Sequence, residues 1–396
     1  MDQLIEISQA KLAGITTQPK RFLYTKINWN WRLNGIVGAR GTGKTMLLLQ
    51  RLKEQGNQTK SIYISMDEFF FTDNRLYSTI VELRKRGFGH FYLDEIHKYE
   101  GWSRELKNLY DTYQDIQITF TGSSILDILK QEVDLSRRAV IYHLPELSFR
   151  EYLLLTGQPT IDAIPLPALL QSHTDVRNRF PADFRPLVHF KTYLESGMYP
   201  FFLEQTELFH HRLLQVVKLI IESDLKFIEG YDARNAQKIF HLLYSVAQNV
   251  PFKPNVSKLS DKIGITRNTL IHYFHYLDKA HIVHLLYAQG KSTSALQKPE
   301  KLLLRNPNLA YTISPKAINA GSLRESYFVS QVGYDHQVSL HNTADFVVDD
   351  QFVFEIGGSN KSAKQLQNLP NGYLIKDEIE YGYERTIPLW MFGLLY

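Results

Sequence analysis

The apolar run Leu33-Asn34-Gly35-Ile36-Val37 passes directly into Gly38-Ala39-Arg40-Gly41-Thr42-Gly43-Lys44-Thr45 and then into Met46-Leu47-Leu48-Leu49-Gln50-Arg51-Leu52. The order is strand, glycine-rich loop, helix. Few features constrain a chain more, because the glycines let the loop curl until successive backbone N–H groups and the helix N-terminus face one point, which suits phosphate oxygens. Lys44 is then placed to reach the β- and γ-phosphates of ATP, and the Thr45 hydroxyl to ligate Mg²⁺. The candidate nucleotide site is therefore Gly38, Ala39, Arg40, Gly41, Thr42, Gly43, Lys44 and Thr45.

A magnesium-nucleotide site also needs an acid at the end of a neighbouring buried strand, and His90-Phe91-Tyr92-Leu93-Asp94-Glu95 supplies two. Asp94 is the candidate to hold Mg²⁺ through water. Glu95 is the candidate to orient and deprotonate the attacking water, so that Glu95 and Lys44 form the catalytic pair. Further apolar strands, Ser61-Ile62-Tyr63-Ile64-Ser65 and Ile116-Gln117-Ile118-Thr119-Phe120-Thr121, alternate with helical stretches such as 74–86. That alternation predicts an α/β domain with a parallel sheet covered on both faces. The third strand ends in Thr121-Gly122-Ser123-Ser124, where Ser123 or Ser124 either senses the γ-phosphate or caps a helix over 125–130. Arg137 and Arg138, just before a last strand over 139–144, read either as an arginine finger for a neighbouring copy in a homo-oligomer or as a surface pair.

The chain has no cysteine, which removes disulfides, thiolate nucleophiles and cysteine zinc sites and fits a reducing compartment. Its start lacks the apolar stretch of a signal peptide, and nothing approaches a membrane helix, so the expected location is cytoplasmic with no membrane partner. The net charge of +4 is mild, but nine Lys/Arg against three Asp/Glu between Lys253 and Arg305 make that segment +6. Such asymmetry fits either a double-stranded DNA partner or a solvated basic face.

After a proline-punctuated stretch at 158–184, long amphipathic runs over 207–228 and 236–249 predict a helical lid. Val256, Leu259 and Ile263 then mark one helix face, Gly264 a turn, and Thr266 the cap of a second helix with Leu270, Ile271, Phe274 and Leu277 inward. This is helix-turn-helix spacing, with residues 282–287 and 301–305 as the wing. Arg267, Asn268, His272 and His275 on the outer face of the second helix suit phosphate or base edges, with Lys258 of the basic segment as a further candidate contact; the alternative is a winged helix kept as a packing module. Near the C-terminus, Ala344-Asp345-Phe346-Val347-Val348, a turn at Asp349-Asp350 and Phe352-Val353-Phe354-Glu355-Ile356 read as a hairpin that faces Asp345 with residue 354 or 355. Two such carboxylates, Asp345 and Glu355, could converge on one metal.

The phosphate loop, Leu93-Asp94-Glu95-Ile96-His97 leading to Trp102, Thr121-Gly122-Ser123-Ser124, Leu147-Ser148-Phe149-Arg150-Glu151-Tyr152 and Gly197-Met198-Tyr199-Pro200 together resemble the prokaryotic AAA-type ATPases whose C-terminal region looks like a restriction-endonuclease fold. The resemblance implies an ASCE-type sheet, with an extra strand between those carrying the phosphate loop and the Asp-Glu pair. It also assigns Asp345 and Glu355 to the Asp and Glu-x-Lys positions of a nuclease-like core, with Glu325, at the start of the preceding helix, as the upstream acid. One position departs: the expected lysine is Gly357, and the nearest candidate is Lys361 beyond Gly357-Gly358-Ser359-Asn360. The expected layout is an α/β chain with an ASCE/AAA-type P-loop domain at 1–155, a linker and helical lid at 156–245, a winged helix at 246–315 and a degenerate, small α+β nuclease-like domain at 316–396. The leading functional expectation is an ATP-hydrolysing switch or remodeller acting on DNA. An ATP-regulated metal-dependent nuclease and a signalling or scaffold ATPase with a protein partner are the alternatives.

Overall fold

The computed structural model describes residues 1–396 except 57–59, 123–134, 136, 228–232, 249–253, 291–296 and 368. The chain divides into two compact units, 1–146 and 147–396.

In the first unit five parallel strands lie in the order β2-β3-β4-β1-β5, where β1 is Leu33–Val37, β2 Ser61–Ser65, β3 His90–Asp94, β4 Gln117–Gly122 and β5 Val140–His143. β4 sits between β1 and β3, the inserted strand that the ASCE arrangement requires. Every residue of β1 and β3 is buried, as expected of parallel strands that read as near-continuous apolar runs because both faces are covered. Registers pair Gly35 with Phe120 and Ser65 with Asp94, so the carboxyl ends of β1, β2, β3 and β4 reach one edge together. The edge strand β2 is shielded by the helix Asp2–Ala13, whose Ser8 hydroxyl accepts from the Tyr63 N–H at 3.0 Å. Covering an edge in this way blocks pairing with another chain.

The second unit begins with the helix Phe149–Leu155, opened by a capping box in which Ser148 and Glu151 satisfy each other's backbone N–H. The Ser148 hydroxyl and Arg150 Nε both donate to the Tyr396 carbonyl, at 2.8 and 3.0 Å, which pins the C-terminus. Phe149, Phe190, Tyr193, Tyr327 and Trp390 form an aromatic core, with Phe149–Phe190 centroids 5.3 Å and Phe190–Tyr327 4.9 Å apart. The Gly197-Met198-Tyr199-Pro200 turn is a structural clasp on this core. Its Met198 N–H donates to Asn308 Oδ1 at 2.8 Å, and a Cβ at Gly197 would meet Tyr193 Cα at 2.7 Å.

Helices Phe209–Glu222 and Ala236–Gln248 precede a helix-turn-helix, Val256–Ile263 and Arg267–Lys279, and the antiparallel hairpin of β6 (Val283–Leu286) with β7 (Lys301–Leu304). Asn255 and Thr266 cap the two helices, and Gly264 turns between them at φ 70°. The C-terminal sheet runs β12-β11-β10-β9-β8, with β8 Val338–Leu340, β9 Phe346–Val348, β10 Phe352–Gly357, β11 Gly372–Lys376 and β12 Thr386–Pro388. Strands β8 to β10 are antiparallel and β10 to β12 parallel. One expectation needs correction. The helix before this sheet is Ala320–Val332, capped by Asn319, so Glu325 lies in its second turn and not at its start. Asn319 is the stronger cap because its side chain accepts from the Ser322 N–H at 3.1 Å.

Candidate functional site

The loop at 38–43 leaves β1 and enters the helix Lys44–Gln55. A Cβ at Gly38 would lie 2.2 Å from the Leu144 carbonyl oxygen, so glycine is required where the loop crosses the chain leaving β5. Gly43 holds φ 94°, a left-handed conformation that costs glycine nothing. The buried Lys44 ammonium donates to the Gly38 and Ala39 carbonyls at 2.9 and 2.8 Å, and the Thr42 hydroxyl to Ala39 O at 2.9 Å. From behind, Arg21 clamps the loop: its guanidinium donates to Thr42 O and, at 2.8 Å, to Pro145 O. Arg21 was not legible as a site residue, and its basic neighbour Lys20 disguises it further.

Across the sheet edge, Asp94 is buried and ringed by hydroxyls. Thr45 Oγ1 and Tyr63 Oη each donate to its Oδ2 at 2.8 Å, and Thr121 Oγ1 donates to Oδ1. Burial, then the facing Asp94 carboxylate, pushes the Tyr63 hydroxyl well above its ordinary pKa. Thr121 also accepts from the Glu95 N–H at 3.0 Å, so one hydroxyl fixes both members of the Asp-Glu pair. Glu95 adopts φ 54°, a left-handed conformation uncommon for a non-glycine residue, which turns its side chain out of the strand direction. Its Oε2 lies 3.9 Å from Arg40 Nη2 and 3.6 Å from His97 Nε2. The structure thus brings Arg40, Thr45, Asp94 and Glu95 together and adds Tyr63, Thr121 and His97. The only sequence sign of Tyr63 and Thr121 is a hydroxyl inside an apolar strand.

Two hard oxygen donors 2.8 Å apart, on Thr45 and Asp94, suit Mg²⁺, which keeps several waters and shares phosphate oxygens with its substrate. Ser123 and Ser124 lie outside the described residues. Arg137 and Arg138 precede β5, at the sheet edge opposite the loop. Arg137 is exposed, and Arg138 donates to both Asp111 oxygens at 2.7 and 2.8 Å.

In the second unit Lys258, Arg267 and Asn268 are exposed at the helix-turn-helix, whereas His272 is half-buried beside Tyr276. At the C-terminal sheet the register pairs Phe346 with Phe354, so Asp345 comes level with Glu355, and Asp345 Oδ2 accepts from the Ile356 N–H at 2.7 Å. Glu355 is 2% exposed, and its Oε1 lies 2.5 Å from the Lys361 ammonium. The Gln365 carboxamide, nitrogen turned inward, also donates to it, at 2.8 Å to Oε2. Burial raises the Glu355 carboxyl above its ordinary pKa, against the opposing bond from Lys361. Glu325 is raised for the same reason and is held by Lys301 at 2.6 Å. Lys361 therefore does reach back over the loop.

The parallel sheet with an inserted strand, a glycine loop at the end of β1 and an Asp-Glu pair at the end of β3 define the P-loop ATPase class. Residues 30–153 match the AAA domain family, and residues 187–318 match a domain family of unknown function. The match to the AAA domain family thus spans the phosphate loop, the Asp-Glu pair and all five strands of the first sheet. An uncharacterized protein of Methanocaldococcus jannaschii is 29% identical over 385 residues, 87% of this chain and 80% of that protein. Among solved structures, the Walker-type ATPase of Pyrococcus abyssi is 13% identical at TM-score 0.41, over 72% of this chain and 91% of that one. AMPPCP-bound DnaA of Aquifex aeolicus is 15% identical at TM-score 0.26, over 65% of this chain and 84% of that one. Among the described residues no helix is long and apolar enough to cross a membrane.

Proposed function

We propose that the chain binds and hydrolyses ATP as a nucleotide-driven switch or remodeller acting on DNA. The observation that carries the ATP reading is the Thr45–Asp94 hydrogen bond of 2.8 Å, which joins the phosphate loop to the acid of β3 at the carboxyl edge of the sheet. In this reading Lys44 leaves the loop carbonyls for the β- and γ-phosphates, and the loop N–H groups of 38–45 hold the rest. Thr45 and Asp94 would hold Mg²⁺, which would supply charge neutralisation on the phosphates. Glu95 accepts the proton of the attacking water, and Thr121 positions it through the Glu95 N–H. Arg40 and His97 flank the Glu95 carboxylate, with Oε2 3.9 Å from Arg40 Nη2 and 3.6 Å from His97 Nε2. Ser123 or Ser124 senses the γ-phosphate, and Arg137 or Arg138 serves a neighbouring copy.

The DNA part rests on exposed Lys258 in the first helix and exposed Arg267 and Asn268 at the start of the second, which follows a tight turn, within a segment of charge +6. Turnover assayed with and without duplex DNA tests both parts. ATP hydrolysis that rises with DNA supports the whole reading; hydrolysis indifferent to DNA leaves the ATPase and moves the partner to a protein. No hydrolysis under either condition sinks the reading.

A further inference from the structure

β4 lies between β1 and β3, so the phosphate loop and the Asp-Glu pair leave the sheet two strand spacings, about 10 Å, apart. Two side-chain bridges cross that gap. In one, the Thr45 hydroxyl donates to Asp94 at 2.8 Å; in the other, Arg40 Nη2 faces Glu95 Oε2 at 3.9 Å. The first sets a neutral hydroxyl on a carboxylate, an arrangement that an arriving cation shares. The second sets a cation on a carboxylate, and what competes for a guanidinium is another anion.

Both ends of the second bridge are anchored through their main chain by other groups. The Glu95 N–H donates to Thr121 Oγ1 at 3.0 Å, and the loop around Arg40 is held by Lys44 on the Gly38 and Ala39 carbonyls and by Arg21 on Thr42 O. Either charged side chain therefore turns without moving the backbone. The Arg40 and Glu95 side chains keep 18% and 19% exposure, so a ligand at the sheet edge reaches both, whereas His97 on the far side of the carboxylate is buried. A part-exposed ion pair of this kind adds little to stability. Its place is more telling: Arg40 belongs to the loop whose N–H groups and lysine suit the β- and γ-phosphates, and it stands on the lip nearest the residue that would take the proton of the attacking water.

A guanidinium offers a planar fork of donors, and a terminal phosphate presents more oxygens and more charge than one carboxylate. While Arg40 faces Glu95, a cation occupies the side of the carboxylate from which a water would be deprotonated. Resting on the ATP reading above, we propose that Arg40 is a γ-phosphate latch: it exchanges the Glu95 carboxylate for the terminal phosphate of ATP and releases Glu95 as base only when that phosphate is present. The exchange makes and breaks no covalent bond. With ADP, which has no third phosphate, Arg40 stays on Glu95, so one copy of the chain tells the two nucleotides apart with a residue of its own loop.

Full-length protein is titrated by calorimetry with ADP and, separately, with a non-hydrolysable ATP analogue, each with Mg²⁺. Arg40→Gln should weaken the analogue about 10-fold and change ADP by less than about 2-fold. Glu95→Gln removes the competing charge, so it should tighten the analogue about 5-fold when Arg40 is present and leave it unchanged beside Arg40→Gln. That dependence is the signature of exchange, because residues acting separately give additive changes. Thermal melting checks that each variant folds. Should Arg40→Gln fail to fold, Arg40→Lys, which keeps the charge and loses the fork, must weaken the analogue more than ADP. Equal weakening of both nucleotides, or additive effects of the two changes, overturns the latch and leaves ATP binding standing. Wild type that takes up neither nucleotide overturns the ATP reading and the latch with it.

Discussion

Two sheets in this chain end in carboxylates, and the protein holds them by different means. Asp94 is held by three hydroxyls, from Thr45, Tyr63 and Thr121. Glu355 is held by an ammonium and a carboxamide, and Glu325 by a second ammonium. Hydroxyl dipoles orient a carboxylate and leave its charge in place to meet an incoming cation; lysines cancel the charge locally. The first arrangement is poised for a ligand that brings its own metal. The second carries its cations with it, which is why the glycine at 357 did not empty the site.

The sharpest way to break this comparison is at Glu95. In the proposed mechanism Glu95→Gln keeps the hydrogen-bonding shape but cannot take a proton, so turnover should fall about 1,000-fold while ATP binding persists. Lys44→Ala should instead weaken binding itself. Single-turnover hydrolysis beside nucleotide titration separates the two, and undiminished turnover in Glu95→Gln removes that residue from catalysis.

A pH effect of the next size belongs to the same sheet. Burial, then the nearby Arg51 charge, lowers the His90 pKa from 6.5 to about 4, and its ring nitrogens meet Gln55 Nε2 at 3.2 Å and Thr119 Oγ1 at 3.3 Å. A depressed histidine binds fewer protons folded than unfolded between those values. Stability should therefore be whole above pH 6.5 and fall by ~3 kcal/mol as pH drops toward 4. His90→Gln should flatten that part of the profile, read by thermal melting at several pH values; an equally steep profile in the variant would assign the effect elsewhere.

Thr121→Val tests the hydroxyl cradle directly, because the shape stays and one donor to Asp94 disappears along with the acceptor for the Glu95 N–H. A cost of ~2 kcal/mol is expected from a bond to a charged group, together with slower turnover. Chemical denaturation measures the first. If stability drops and turnover does not, Thr121 braces the sheet without positioning Glu95.

The smallest expected effect lies on the helix-turn-helix. Lys258→Ala with Arg267→Ala should reduce the salt dependence of duplex binding by about one unit of slope for each phosphate that the two side chains neutralise. Binding measured from low to high salt checks it, and an unchanged slope returns this face to a packing role.

What could be read from the chain alone was whatever is local. The phosphate loop is a contiguous stretch whose glycines and helix start prescribe their own geometry, and the buried strands of the first sheet announce themselves as apolar runs ending in Asp94-Glu95. The turn at Asp349-Asp350 likewise sets the register that brings Asp345 level with Glu355, since a short hairpin leaves few pairings open. Tertiary structure decided the rest. Tyr63 and Thr121 meet Asp94 only because parallel strands from distant parts of the chain end at one edge, and Arg21 bridges the loop carbonyl of Thr42 and the distant carbonyl of Pro145 only once both are folded beside it. Lys361 was visible as a candidate, but whether its stem would pay the ordering entropy to lie over Gly357 was a question of packing. The space that a missing side chain leaves open cannot be seen in a sequence, because it exists only once the strand beneath and the turn above have both been built.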